Sequence, residues 1–319
     1  MAEVILSSGE KTFILHGIDA DFRNDGRQRC EYRSMEIETK LMPQTHGSSR
    51  LRIGNTDILV GIKVELDTPN ADKPYEGKLE FFVDCSATAT PAFEGKGGDD
   101  LATEISNTLT VAYQTRNSLD LRSLCILPHK KCWKIFVDVL ILQCGGNLFD
   151  AVGIAVKAAL NSTEIPKITA ATLDGGEPDI QLSDDYYDCI QLDTINYPVI
   201  VTLCKIGDNF IVDPTSEEEV CSASSIVMSV LPNGKVSSLI KLGYGSIQPT
   251  TFNKMLQVFF VFYMLYCLVC IIYKLMSLIT KLWFQVGQNI GLRLNEGLIK
   301  ALKEESELGR KRKIIGFLK

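Results

Sequence analysis

The stretch Lys134–Leu160, KIFVDVLILQCGGNLFDAVGIAVKAAL, constrains the fold more than any other part of the chain. Its first half runs Ile135, Phe136, Val137, Val139, Leu140, Ile141 and Leu142, broken only by Asp138. An apolar, β-branched run of that length, stopped by Cys144-Gly145-Gly146, predicts a central strand buried on both faces. The second half changes period: Leu148, Val152, Ala155, Val156 and Ala159 recur at helical spacing. Asn147 is expected at the N-cap with Asp150 three residues on, so that the free N–H groups of the first turn find partners locally. A strand, a glycine turn and a helix in this order is where an α/β protein holds a phosphate.

A length of 319 residues, 45% apolar, suffices for one large domain or two fused smaller ones. A net charge of −6 argues against a general polyanion-binding surface, so any nucleic-acid contact must be a local basic patch. The 10 cysteines lie mostly inside apolar runs, and with 3 histidines and the single Cys267-Leu-Val-Cys270 they fit neither a zinc site nor a disulfide framework. Reduced core cysteines, with no metal and no cofactor, are the expectation. The opening MAEVILSSGEK lacks the basic region and the apolar length of a signal peptide.

In chain order, Ser7 or Ser8 caps a short helix, and a mixed-charge segment from Arg23 to Arg33 follows. That segment is either an RNA-facing cluster or, the preferred reading, a salt-bridged and solvated approach to the first strand. Ser34–Lys40, Ser48–Ile53 and Asp57–Leu66 read as antiparallel strands, and Lys78–Ser86 as a fourth. Asp99-Asp100 suggests a metal on paper, but its simpler role is to start the helix Leu101–Arg116, where acids suit the positive end of the dipole. Beyond Leu160, Val199–Cys204 and Phe210–Val212 form a hairpin, and Pro232-Asn233-Gly234 turns another. The acidic run Glu217-Glu218-Glu219 opens a helix or, since β-rich residues follow at once, forms a turn. Two similar β-rich units are expected, 1–184 and 185–319.

An ordered set of segments then carries a resemblance. Arg23-Asn-Asp-Gly-Arg27, Gly54-Asn-Thr-Asp-Ile-Leu-Val60, Glu80-Phe-Phe-Val-Asp-Cys-Ser86, Phe93-Glu-Gly-Lys-Gly-Gly-Asp-Asp100 and Gly145-Gly-Asn-Leu-Phe-Asp-Ala151 resemble the RNase PH-family ring subunits of the eukaryotic RNA exosome. The resemblance implies an α+β, RNase PH-like fold of two pseudo-repeated βαβα lobes with mixed sheets packed on helices. It also implies a six-membered ring of RNase PH-like subunits, S1/KH cap subunits above it, RNA threading the channel, attached nucleases, and residence in nucleus, nucleolus and cytoplasm.

Catalytic members of that family carry an Asp-Gly-Gly-Thr-Arg-type run where this chain has Cys144-Gly-Gly-Asn147-Leu148. The acid is a thiol, the hydroxyl an amide and the arginine a leucine, so Cys144, Asn147 and Leu148 form a degenerate phosphate site without a cation. A second acid expected of catalytic members is absent from Val201-Thr-Leu-Cys-Lys205, and the helix that bears arginine in RNA-binding members shows Ser106, Asn107, Thr108 and Thr110. No catalytic residue is therefore assigned. Lys96, Arg116 and Arg122 are the local basic residues available to RNA. Three readings follow: a scaffold and channel-lining subunit, which is favoured, an active phosphate-dependent exoribonuclease, and a membrane-tethered variant.

The third reading rests on one segment foreign to the family pattern. Met255–Tyr273 has no charge, about the length that spans a bilayer. Its aromatics crowd together instead of forming interfacial belts, so no membrane is expected and a packing helix is the other alternative. Removing Val258–Gln285 would bring Leu256, Ile290, Leu294 and Leu298 onto one helical stripe. The segment opens with Val, whose codons start GT, and closes with Gln, which CAG encodes. A retained in-frame intron is the expectation, to be read from transcripts across the junction.

Overall fold

The computed structural model describes residues 5–246 and 293–303, apart from 115–117, 175–176, 184, 186–187, 193, 195 and 233–234. Val258–Gln285, Arg116 and the Asn233-Gly234 turn thus lie outside the described residues. The order begins with α1 (Ser8–Asp19), β1 (Met35–Thr39), β2 (Gly47–Ile53), β3 (Thr56–Asp67) and β4 (Lys78–Cys85). It continues with α2 (Asp99–Tyr113), β5 (Cys125–Leu127), β6 (Lys131–Gln143), α3 (Leu148–Asn161), β7 (Glu164–Pro166), β8 (Ile168–Asp174) and β9 (Glu177–Leu182). The last part holds β10 (Cys189–Gln191), β11 (Val199–Ile206), β12 (Asn209–Val212), α4 (Ser216–Cys221), β13 (Ser224–Val230) and β14 (Val236–Leu242). Residues 293–303 are helical.

The large sheet runs β1-β2-β3-β6-β4; only the β4–β6 pairing is parallel. The second sheet, β12-β11-β13-β14, is antiparallel throughout. Between the two lies α3, buried on nearly every side, as a helix apolar all round must be. Its small residues permit close approach on both flanks. Ser49 donates to the Ala155 carbonyl from the large sheet (2.7 Å), and a Cβ on Gly153 would lie 2.9 Å from Ile200 of β11. Buried Lys157 donates to the Tyr197 carbonyl (2.7 Å) and to Asn295, tying α3 to the 293–303 helical residues. Burial pushes its ammonium down to about 8. Leu294, Leu298 and Leu302 pack on the main core, which places two of the four predicted stripe residues inward. Among the described residues, no helix is long and apolar enough to cross a membrane.

One local expectation needs correction, one alternative is decided, and one element takes a place the sequence left open. β6 is buried on one face only: Ile135, Val137, Val139 and Ile141 are inside, while Phe136, Leu140 and Leu142 are half-buried and Asp138 is exposed. The helical layer of α2 and α3 covers one side of the sheet, so apolar composition on the other side is not matched by cover within the described residues. The acidic run is a short helix, α4, because Thr215 and Glu218 close a capping box: Thr215 N–H donates to Glu218 Oε2 (2.8 Å) and Glu218 N–H to Thr215 Oγ1 (3.4 Å). Finally, α1 is capped by Ser7 as expected, but Ile14 and Ile18 pack on Cys204, Ile206 and Ile211, so the first helix lies on the second sheet.

Candidate functional site

The glycine turn that ends β6 sits where the two sheets and α3 converge. Gly146 (φ 93°) and Asn147 (φ 55°) both take left-handed backbone, which glycine adopts freely and asparagine tolerates. Asn147 stands at the N-cap position without a side-chain capping bond, which corrects the expected role. Its Nδ2 donates instead to Asp150 Oδ2 (3.0 Å) and Asp213 Oδ1 (2.8 Å). Asp150, fully buried, also accepts from Tyr32 (2.7 Å) and Thr202 (2.6 Å). Burial pushes its carboxyl up to about 6 in spite of those bonds.

Around this turn the Arg23–Arg33 segment folds inward. Arg23, 1% exposed, donates from Nε to Glu218 Oε1 (2.8 Å), from Nη1 to the Val212 carbonyl (2.9 Å) and from Nη2 to the Asp213 carbonyl (2.7 Å). Arg33 grips Asp213 with its backbone N–H (2.9 Å), Nε (2.9 Å) and Nη2 (2.8 Å), and donates to the Gly145 carbonyl (2.8 Å). Arg27 adds a bond to Asp213 Oδ2 (3.0 Å). Burial alone would raise the Asp213 carboxyl, but the bonds and charge of Arg33, with Asn147, hold it below its ordinary value. The segment is therefore salt-bridged as expected: Arg23 is buried and Arg27 and Arg33 are half-buried, while Asn24, Asp25, Gln28 and Glu31 are exposed. Its guanidinium groups are committed to carboxylates and carbonyls of the chain itself.

The N–H at the head of the turn already has a partner. The Asn147 backbone N–H donates to Glu219 Oε1 at 2.7 Å. A Cβ on Gly146 would lie 2.7 Å from Pro214 O, Thr215 C and Ser216 N, and one on Gly145 would lie 2.8 Å from Asn55 Cβ. The turn is thus held between the β2–β3 connection and the backbone leading into α4. Burial pushes Glu219 up to about 7, against the Asn147 N–H and the Arg33 charge. Three carboxylates, Asp150, Asp213 and Glu219, meet at Asn147 or its N–H, and a phosphate there would face like charge. Cys144 is half-buried with its thiol raised by burial, and Leu148 is buried in the core.

Comparison with known families bears on this arrangement. Residues 31–166 match domain 1, and residues 196–258 domain 2, of the 3' exoribonuclease family known as RNase PH. The chain belongs to the RNase PH family. A Dictyostelium discoideum protein named as the exosome complex exonuclease RRP42 is 32% identical over 298 residues, covering 79% of this chain and 92% of its own. The exosome complex component Rrp42 of Methanopyrus kandleri is 34% identical over 233 residues, 72% and 83% of the two chains. Among solved structures, a chain of the Archaeoglobus fulgidus exosome with RNA bound to the active site superposes with a TM-score of 0.71 at 23% identity. That alignment covers 90% of this chain and 96% of the other, and the expected RNase PH-like α+β fold is met. The domain 2 match ends at residue 258, the first residue of the segment Val258–Gln285 expected to be foreign to the family pattern.

The RNase PH fold separates the basic residues proposed for RNA. Lys96 is exposed in the loop before α2, and Arg122 is exposed in the turn of 3-10 helix after it. α2, about 22 Å long, lies between the two positions in the chain. Arg122 borders a polar hollow with Lys73 and Lys78, which pair with Glu76 and Asp67. The α2 hydroxyls serve the fold: Ser106 donates to the Phe81 carbonyl, Thr108 to Glu104 and Thr110 to Ser106. Sequence reading missed Asp213, Glu218 and Glu219 as partners of the turn. The Thr215-x-x-Glu218 capping box was the one local signal for them.

Proposed function

We propose that this chain is a non-catalytic scaffold and RNA-channel-lining subunit of an exosome ring, supporting 3'-to-5' RNA processing and decay by attached nucleases. Its partners are other RNase PH-like ring subunits, S1/KH cap subunits and RNA passing through the assembled channel, in nucleus, nucleolus and cytoplasm. The Rrp42 names of its relatives and its likeness in fold to exosome chains support the ring assignment. The observation that carries the loss of catalysis is the Glu219 carboxylate on the Asn147 N–H, where the family's phosphate loop opens. A carboxylate and packed backbone occupy that place, and Arg33 is already engaged by Asp213.

Incubating the chain with 3'-labelled RNA and inorganic phosphate tests the reading. No nucleoside diphosphate is expected. Cys144→Asp with Asn147→Thr and Leu148→Arg is expected to remain inactive, because Glu219 still fills the turn. Phosphate-dependent trimming by the unmodified chain would overturn the assignment.

A further inference from the structure

The strand cysteines of this chain mostly face other residue types across their ladders. Cys85 pairs with Ile141, Cys189 with Pro166, and Cys204 with Ile211 and Ser225. Among the described residues Cys125 and Cys132 are the exception, standing directly opposite each other where β5 meets β6. Side chains so placed in an antiparallel pair lie on one face of the sheet, with Cα atoms about 4.5–5.5 Å apart. A disulfide needs Cα atoms about 4.4–6.8 Å apart, a condition the register meets by itself. It also needs the Cβ atoms about 1 Å closer than an ordinary opposed pair holds them. β5 can supply that movement, since it is 3 residues long and its pairing is irregular between Cys125 and Leu127.

The two thiols differ in access. Cys132 is 0% exposed, held between Cys125 on one side and Asp67 of β3 on the other. Cys125 is half-buried, and its thiol donates to the Pro74 carbonyl at 3.9 Å, a long and weak bond. Lys78 pairs with Asp67 (2.8 Å) and sets a positive charge near Cys132. Burial raises the Cys132 thiol against that charge, which suits it to react second and slowly. An isolated buried thiol is inert, whereas a more accessible thiol facing a second one is the arrangement of an oxidation site with its resolving partner.

We propose that Cys125 and Cys132 form a reversible disulfide within the chain when it meets hydrogen peroxide. The Cys125 sulfur, its proton lost to solvent, attacks one peroxide oxygen. The O–O bond breaks, a sulfenic acid forms, and the departing hydroxide takes up a proton as water. The Cys132 sulfur then attacks the sulfenic sulfur, the S–O bond breaks, and a second water leaves with the Cys132 proton. Two thiols give up two electrons in all, and the peroxide accepts them. A small thiol reverses the bond by exchange. Oxidation takes Cys125 from Pro74, but that carbonyl keeps the His129 N–H (3.1 Å) and Tyr75 keeps its edge contact with the His129 ring (5.5 Å). The fold around the pair is therefore expected to survive in both states.

Peroxide treatment of the full reduced chain, blocking of free thiols with N-ethylmaleimide, and tryptic mapping without reductant test the pair. Cleavage after Arg122, Lys130, Lys131 and Lys134 leaves the two cysteines on separate peptides, 123–130 and 132–134. These peptides are expected linked, lighter by two hydrogens than their sum, and dithiothreitol should part them. In Cys132→Ala, sulfenic acid at Cys125, trapped with dimedone, should rise several-fold over the unmodified chain. Cys132 is buried, so the melting temperature of that variant is checked first; where it does not fold, the mapping of the unmodified chain decides. Cys125→Ser should abolish the link. The proposal is overturned if both peptides stay blocked at a dose that oxidises free cysteine in the same buffer. It is equally overturned if Cys125 passes to sulfinic acid unlinked, or links to any cysteine other than Cys132.

Discussion

The glycine turn is flanked by two sets of ion pairs built from the same residue types. On the α4 side, Arg23, Arg27 and Arg33 meet Asp213 and Glu218; on the β2–β3 side, Arg50 and Arg52 meet Asp57. The difference is access to water. The Arg23 and Glu218 side chains are 0% and 6% exposed, whereas Arg50 and Arg52 are 33% and 48% exposed. A buried pair does not automatically add stability, because both ions lost their hydration on folding. Breaking one, however, strands the other without water. An exposed pair that breaks is simply rehydrated. The inner set therefore acts as a clamp joining segments about 180 to 195 residues apart, and the outer set trims a turn.

The largest effect that separates the two sets is expected at Arg23. Arg23→Ala leaves Glu218 buried without its guanidinium partner and takes the Arg23 donor from the Val212 and Asp213 carbonyls, of which Asp213 keeps only the longer bonds from Arg27. A loss of about 3–5 kcal/mol is expected, measured by urea unfolding of the chain. A loss below about 1 kcal/mol would put Arg23 in the same class as a surface pair and dissolve the comparison.

Next is Glu219, which has a raised carboxyl and caps the turn with a charge that burial disfavours. For an acid whose folded value is raised, from an ordinary 4.5 to about 7, stability falls as pH rises through that interval. Glu219→Gln keeps an oxygen for the Asn147 N–H and removes the charge. Relative to the unmodified chain, the variant should therefore gain stability between pH 5 and pH 8, by up to about 2–3 kcal/mol. Asp150 titrates in the same direction in both proteins, so the difference between them isolates Glu219. Parallel melting-temperature curves across that range would show that Glu219 is not charged against its surroundings.

Much of the fold was legible because its signals are local. The period switch at Gly145-Gly146 gave β6 and α3, and alternation gave the strands of the first sheet. The clamp was not legible, since nothing within Arg23–Arg33 says that Asp213 and Glu218 lie opposite. Mixed charge at close spacing suggests pairing within the segment, and Arg27 with Asp25 does pair so, yet the energetically decisive partners are remote. The glycine turn was half legible: Leu148 could be read from the sequence, but not the Glu219 carboxylate on the Asn147 N–H. Asn147 misled for a related reason, because a residue well suited to capping is also suited to left-handed backbone. In β6, apolar residues on both faces suggest total burial, yet within the described residues only one face is covered.

The smallest effect belongs to Arg52, and it sharpens the outer half of the comparison. Asp57 accepts Nε (3.0 Å) and Nη2 (2.6 Å) of Arg50 and only Nε (3.2 Å) of Arg52. Burial would raise its carboxyl, but the two arginines hold it below the ordinary value. Arg52→Ala leaves the two-point Arg50 contact in place, so Asp57 keeps a full partner. The expected loss is about 0.2–1 kcal/mol by urea unfolding at low salt. At 1 M salt, where charges are screened beyond about 3 Å, that loss should shrink further, whereas the loss from Arg23→Ala should hardly change. An Arg52 effect above about 2 kcal/mol, or one indifferent to salt, would mean that the outer pair is buried in energetic terms and that exposure is not what divides the two sets.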